Sequence, residues 1–111
     1  MNATHRAVYE ARAKVMKALA HPARLLVLDA LQAGPRCVCD LRELVGSDLS
    51  TVSKHLSVLK NADLVRDERR GVQVYYALRC PCIGDFFRCA ETVLAAAAAE
   101  HARAAHPRGR P

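Results

Sequence analysis

The stretch Leu49-Ser-Thr-Val-Ser-Lys-His-Leu-Ser-Val-Leu59 constrains the chain more than any other. Its apolar residues Leu49, Val52, Leu56 and Leu59 recur at i, i+3, i+7 and i+10, which is one face of an α-helix. At about 100° per residue, Lys54 points away from that face, and Ser50, Thr51 and Ser57 lie within about 65° of Lys54. The helix therefore buries aliphatics and shows hydroxyls and a cation. A solvated surface helix usually carries Glu–Lys pairs, and this stretch has no acidic residue. Small hydroxyl donors with a lysine suit a helix pressed into a DNA major groove, where they can meet phosphates or base edges without steric cost. The bland alternative is an ordinary amphipathic helix.

The flanks favour DNA. Upstream, Asp40-Leu-Arg-Glu-Leu-Val-Gly46 has Leu41, Leu44 and Val45 at helical spacing, with Gly46 as its stop. Ser47-Asp48 then make a turn, so the two helices form a helix-turn-helix. Downstream, residues 64–78 read as a β-hairpin. Val72, Val74 and Tyr76 alternate with Gln73, Tyr75 and Ala77, and Gly71 supplies the turn. Helix-turn-helix followed by a hairpin is a winged helix, and Arg66, Arg69 and Arg70 give the wing positive charge. Ser53 and His55 lie at the edges of the exposed helix face. The DNA-contact candidates are thus Ser50, Thr51, Ser53, Lys54, His55, Ser57, Arg69 and Arg70. His55 suits a capping or core-edge role equally well.

The remaining segments complete a mainly α fold with a small hairpin, in the order α-α-α-α-β-β-α. Residues 5–20 read as a first helix whose stripe (Val8, Arg12, Val15, Met16, Leu19, Ala20) is incomplete and rich in alanine between. Such a helix can pack on a partner as well as on its own core. Pro22 opens a second helix, to Gln32, that is apolar on most sides and forms the core. Asp63 follows the DNA-facing helix where a left-handed C-cap belongs, with Asn61 as the alternative. A last helix spans about Ile83 to Ala105. Ile83, Phe86, Phe87, Ala90, Val93 and Leu94 give it more apolar surface than a small domain can cover, so it and the first helix form a homodimer interface. Residues 1–105 make one domain, and the basic, proline-containing stretch 106–111 is expected to be disordered. The formal charge of +6 suits an anionic partner.

Residues 1–20 are charged throughout and lack a signal-peptide core, and no run of 18 apolar residues occurs. These features point to a cytoplasmic, reducing setting without a membrane, where five cysteines are unlikely partners in structural disulfides. Cys37 and Cys39 alternate in an extended segment, so their sulfurs can converge on one ion. Asp40 or Cys39 can cap the helix that follows. Cys82 and Cys89, seven residues apart, share one face of the last helix, and Cys80 is a spare. Thiolates select soft ions. As(III) and Sb(III) take three thiolates in a pyramid, whereas Zn(II) and Cd(II) prefer four ligands.

Read together, these residues resemble the ArsR/SmtB family of metal-responsive winged-helix repressors. The resemblance covers roughly residues 14–95. It rests on Leu19-Ala-His-Pro-Ala-Arg24, Cys37-Val-Cys-Asp-Leu41, the 49–59 stretch, Leu64-Val65 and Gly71-Val-Gln-Val-Tyr-Tyr-Ala-Leu78. It implies a homodimer on double-stranded operator DNA with an inverted repeat, released when an ion binds. Cys-Val-Cys-Asp-Leu looks like the metal box of the arsenite and cadmium/lead branches. Arg42 stands where the arsenite branch often has a third cysteine, and no cysteine precedes Cys37, unlike the cadmium branch. Asp85, Glu91, Glu100, His101 and His106 do not reproduce the zinc-branch spacing. The Cys80-Pro-Cys82 and Cys89 set resembles a subgroup with thiols on the last helix, which implies that the missing ligand comes from there.

The expected metal ligands are therefore Cys37, Cys39, Cys82 and Cys89, with As(III) or Sb(III) as inducer and no organic cofactor. Whether the two pairs form one site, within or across protomers, stays open. The alternatives on the same scaffold are a thiol redox or reactive-sulfur sensor, in which a cysteine pair forms a disulfide, and a Cd, Pb or Zn sensor. An enzyme is not expected: Cys-x-Cys lacks a βαβ setting, and neither a Gly-rich phosphate loop nor an acid/base pair is in sight.

Overall fold

The fold, taken from a computed structural model, describes residues 1–105. The basic stretch 106–111 lies outside the described residues, and with it the expectation of disorder there. The chain forms two compact units, one from Met1 to Pro81 and one from Cys82 onward.

In the first unit, α1 (Ala3–Leu19) begins two residues earlier than its apolar stripe suggested, because the Asn2 side chain caps it and accepts a hydrogen bond from the His5 amide. Val15 is half-buried and only Ala18 and Leu19 are buried, so Val8, Tyr9 and Met16 remain exposed. α2 (Pro22–Leu31) starts with proline in its first turn and buries Val27, Leu28 and Leu31. Its other leucines, Leu25 and Leu26, are exposed, so it contributes one face to the core rather than all sides.

A short strand, β1 (Arg36–Cys37), then leads directly into α3 (Val38–Val45). The periodicity of the sequence did not reveal this strand. α3 begins earlier than Asp40, and its cap is Cys37 rather than Cys39 or Asp40. Gly46 ends α3 at φ 75°, the left-handed conformation that glycine adopts at no steric cost. Asp48 caps α4 (Leu49–Asn61) by accepting from the Thr51 amide at 2.8 Å. Asp63 follows at φ 60°, in the left-handed position expected of it.

β2 (Val65–Arg70) and β3 (Gln73–Leu78) are antiparallel, and β1 pairs with the other edge of β3 to give the order β1-β3-β2. The buried residues of the hairpin are Val65 and Ala77, whereas Val72 sits in the turn, almost fully exposed. The alternation read from the sequence placed Val72 with an apolar face; the turn takes it out of the pleat. The core is Val27, Leu28, Leu41, Val52, Leu56, Leu59 and Val65, each under 2% exposed. Burying each such side chain contributes about 1.5–3 kcal/mol, and α2, α3, α4 and β2 all depend on it.

The second unit is α5 (Ile83–Ala105) with the residues at its start. Phe86, Val93 and Leu94 on this helix are exposed. No helix among the described residues is long and apolar enough to cross a membrane.

Candidate DNA interface and thiol site

Three buried side chains, Val52, Leu56 and Leu59, anchor α4 along one face. That anchoring turns Ser50, Thr51, Ser53, Lys54 and Ser57 outward, and all five are exposed. Leu49 shares their fate, at 48% exposure, because it occupies the first turn beyond the reach of the core. The outward strip is thus hydroxyls and one cation, as the spacing required.

His55 is placed differently. It is half-buried, with its ring 4.3 Å from that of His21 and Nδ1 3.5 Å from Nη1 of Arg24. His21 is itself occupied as the cap of α2, its Nδ1 accepting from the Ala23 amide at 3.0 Å. Arg24 is pinned by donating from Nε to the Ala18 carbonyl at 2.8 Å and from Nη2 to the Lys17 carbonyl at 3.2 Å. These carbonyls end α1, where a cation is favoured; that of Lys17 also accepts from the Ala20 amide at 3.2 Å. Burial, then His21 and then Arg24 push the His55 pKa below its ordinary value. Arg24 was missed in the sequence as a positioning residue, and the Ala-His-Pro-Ala-Arg run was the available signal.

On the hairpin, Arg66, Arg69 and Arg70 are exposed. The Arg70 guanidinium lies 4.4 Å from the centre of the Tyr75 ring and 3.5 Å from Glu68. Lys60 at the end of α4 donates to Asp67 on β2 at 2.9 Å and ties the wing to the helix. That pairing lowers the Asp67 pKa and raises that of Lys60.

The thiol site lies where β1 turns into α3. The Cys37 sulfur accepts from the Asp40 amide at 3.3 Å and so caps the helix. Convergence of the two sulfurs comes from this strand-to-helix corner, not from alternation along an extended segment, since Cys39 is already helical. The thiol and carboxylate atoms of Cys37, Cys39 and Asp40 lie within 4.8 Å of one another. Asp40 had not been singled out as a ligand, although its position next to Cys39 was the signal. The expectation of free thiols is corrected here: Cys37 and Cys39 are joined as a disulfide, with Cα atoms 5.3 Å apart. The corner brings the two backbones within the range of about 4.4–6.8 Å that a disulfide spans. Cys37 is buried and Cys39 is exposed, its sulfur 3.7 Å from Oε1 of Gln73 on β3.

Cys82 precedes α5 instead of lying on its face, and its carbonyl accepts from the Asp85 amide. Neither Cys80 nor Cys82 is a free thiol. Cys89 is free and exposed on α5. Among the described residues, the corner alone gathers three potential ligand atoms. Once the disulfide is reduced, two thiolates and a carboxylate fit a thiophilic ion that accepts an oxygen ligand, and they leave the third thiolate of a full As(III) pyramid to another cysteine.

A bacterial regulatory protein family, the arsR family, matches residues 21–67, which run from the α2 cap through α4 into β2. The chain is 44% identical to the transcriptional regulator NmtR of Mycobacterium tuberculosis over 66 residues, 60% of this chain and 55% of NmtR. It thus spans about half of that relative's length. It is 34% identical to the transcriptional repressor SdpR of Bacillus subtilis over 71 residues, 64% of this chain and 79% of SdpR. The solution structure of Mb0332 from Mycobacterium bovis, a homodimeric winged helix-turn-helix DNA-binding domain, aligns with a TM-score of 0.73 at 31% identity. That alignment covers 100% of this chain and 97% of the Mb0332 fragment.

Proposed function

The chain belongs to the arsR family of bacterial regulatory proteins, and from that premise we propose that it is a homodimeric transcriptional repressor controlled by thiol chemistry at Cys37 and Cys39. The dimer forms through α1 and α5, whose exposed Val8, Tyr9, Met16, Phe86, Val93 and Leu94 want a partner. It sets two copies of α4 about 34 Å apart, one DNA turn. Ser50, Thr51, Ser53, Lys54 and Ser57 enter the major groove, and Arg69 and Arg70 reach along the backbone. The inducer is As(III) or Sb(III). Cys37 and Cys39 hold it, and Cys82 and Cys89 are the further candidate thiolates, in the same site or a separate one. DNA affinity falls by the coupling free energy, typically about 1–3 kcal/mol.

The observation that carries this reading is the convergence of Cys37, Cys39 and Asp40 at the N-terminus of α3, the first helix of the helix-turn-helix. The experiment is fluorescence anisotropy of the reduced protein on an inverted-repeat duplex, titrated with As(III) under argon. Release near one ion per protomer, lost in Cys39→Ser, supports it. Phenylarsine oxide, which needs only two thiolates, tests the share of the corner: in the double variant Cys82→Ser/Cys89→Ser, release by it without release by As(III) would assign the third thiolate to the last helix, and release by both would leave that helix out of the site.

A second reading has its own support. The bonded sulfurs of Cys37 and Cys39 favour a dithiol–disulfide sensor. Release by hydroperoxide with no response to As(III) would select it, and release by Cd(II) alone would select a divalent-ion sensor.

A further inference from the structure

Each cysteine of the corner has a neighbour on β3, and both neighbours lie beside the same cation. Cys37 lies opposite Tyr75 in the β1–β3 ladder. The Tyr75 ring carries the Arg70 guanidinium. Cys39 places its sulfur against the Gln73 amide, and Gln73 lies opposite Arg70 in the β2–β3 ladder. Two routes, one a ladder pair followed by a ring–guanidinium contact and the other a sulfur–amide contact followed by a ladder pair, therefore lead from the cysteines to Arg70, the wing residue nearest the turn. We infer that the chemical state of the Cys37/Cys39 pair is read out on the wing, through Tyr75 and Gln73 onto Arg70. The inference rests on the proposal above that this pair is the sensor.

The chemistry differs at each step of the sensor's cycle. As a thiol, Cys39 donates its proton to Oε1 of Gln73. As a thiolate on an ion it can only accept, so the Gln73 amide must turn its Nε2 toward the sulfur. As a disulfide, the state in this structure, it has no proton to donate and only lies against the amide as a weak acceptor. Oxidation by a hydroperoxide balances without further reagents: the two thiols lose two protons and two electrons, an S–S bond forms, the O–O bond breaks, and alcohol and water leave. Cys37 constrains the same strand from the other side, because its backbone is held in the ladder while its sulfur caps α3.

Mechanical contrast favours the wing as the element that yields. α4 is fixed by three buried side chains, whereas β2 beyond Val65 is exposed throughout. A change of a few tenths of an ångström at the corner is resisted by close packing in the core and is absorbed by a solvated hairpin. Moving Arg70 alters a phosphate contact of the wing and leaves the major-groove residues in place.

The test compares dithiol and hydroperoxide-oxidised full-length protein on a duplex selected from a random library by the dithiol form. Wild type is expected to lose about tenfold in affinity on oxidation. Gln73→Ala and Tyr75→Val should each shrink that ratio to about threefold or less, and Tyr75→Phe, which keeps a ring under Arg70, should retain it. Hydrogen exchange of the free protein should change at 73–78 on oxidation and stay unchanged across 52–59. A wild-type ratio of one on oxidation and also on loading the dithiol form with As(III) would overturn the sensor reading and the wing with it. A wild-type ratio retained in both substitutions, or exchange that changes in α4 and not in β3, would overturn the wing route alone.

Discussion

α4 and the corner that precedes α3 are held by different forces. α4 is locked by Val52, Leu56 and Leu59, all but inaccessible to solvent. The corner is held by the Cys37–Cys39 disulfide, one sulfur cap, two ladder pairs and a sulfur–amide contact, and the bond that closes it is itself reducible. Apolar burial is non-directional and hard to perturb by chemistry at one atom. A cap made by sulfur changes whenever that sulfur is oxidised, ionised or ligated. The molecule therefore keeps the surface that reads DNA on its most rigid element and the reactive atoms on a deformable one.

The largest expected effect tests the rigid side. Leu56→Ala should destabilise the first unit by about 2–5 kcal/mol, since it opens a cavity among fully buried neighbours. Urea denaturation measures it. A loss under 1 kcal/mol would mean that α4 is not fixed by this core and would dissolve the contrast.

A smaller effect separates the two jobs of Cys37. Cys37→Val removes the cap and should cost about 0.5–2 kcal/mol. Cys37→Ser supplies a hydroxyl acceptor in place of the sulfur and should recover most of that stability while abolishing the response to As(III) or hydroperoxide. If Cys37→Ser still responds, the corner is a structural cap and the sensor lies elsewhere.

The DNA side sharpens the contrast at lower amplitude. Lys54→Ala should weaken binding about equally across sequences and reduce the slope of log affinity against log salt by about one. Its oxidation ratio should remain that of wild type, because α4 lies outside the proposed route. A changed ratio would show that the rigid reader takes part in switching.

What the sequence made legible follows the same division. The α4 face, the Gly46 stop, the Asp63 turn and the hairpin depend on residues within a few positions of each other, where helical or strand periodicity speaks directly. β1 did not, because a two-residue strand has no period and exists only through its pairing with Tyr75 and Tyr76. The capping role of Cys37 and the nearness of Asp40 followed from that hidden strand. The Asn2 cap was overlooked because it lies ahead of the apolar stripe. The exposed Leu49 and Val72 mark the converse error: apolar residues at helical or strand spacing face solvent when they fall at the end of an element.

The weakest expected effect concerns His55, which joins the rigid helix to the end of α1. Its ring sits between His21 and the pinned Arg24, and burial with these neighbours lowers its pKa below 6.5. Below pH 6.5 the unfolded chain takes up a proton there that the folded chain still refuses. Stability from this group is therefore complete above pH 6.5 and declines as pH falls toward the depressed folded value. Asp48 and Asp67 act in another window: their pKa values are lowered from 3.8, so the stability they add is present above that value and is lost only below it. Urea midpoints at pH 7.5 and pH 5.5 thus isolate the histidine. Wild type should be less stable at the lower pH, and His55→Gln should flatten the difference. A pH dependence unchanged in His55→Gln would mean that this ring does not set it, and would place the pH-sensitive joint of the fold somewhere other than the DNA-reading helix.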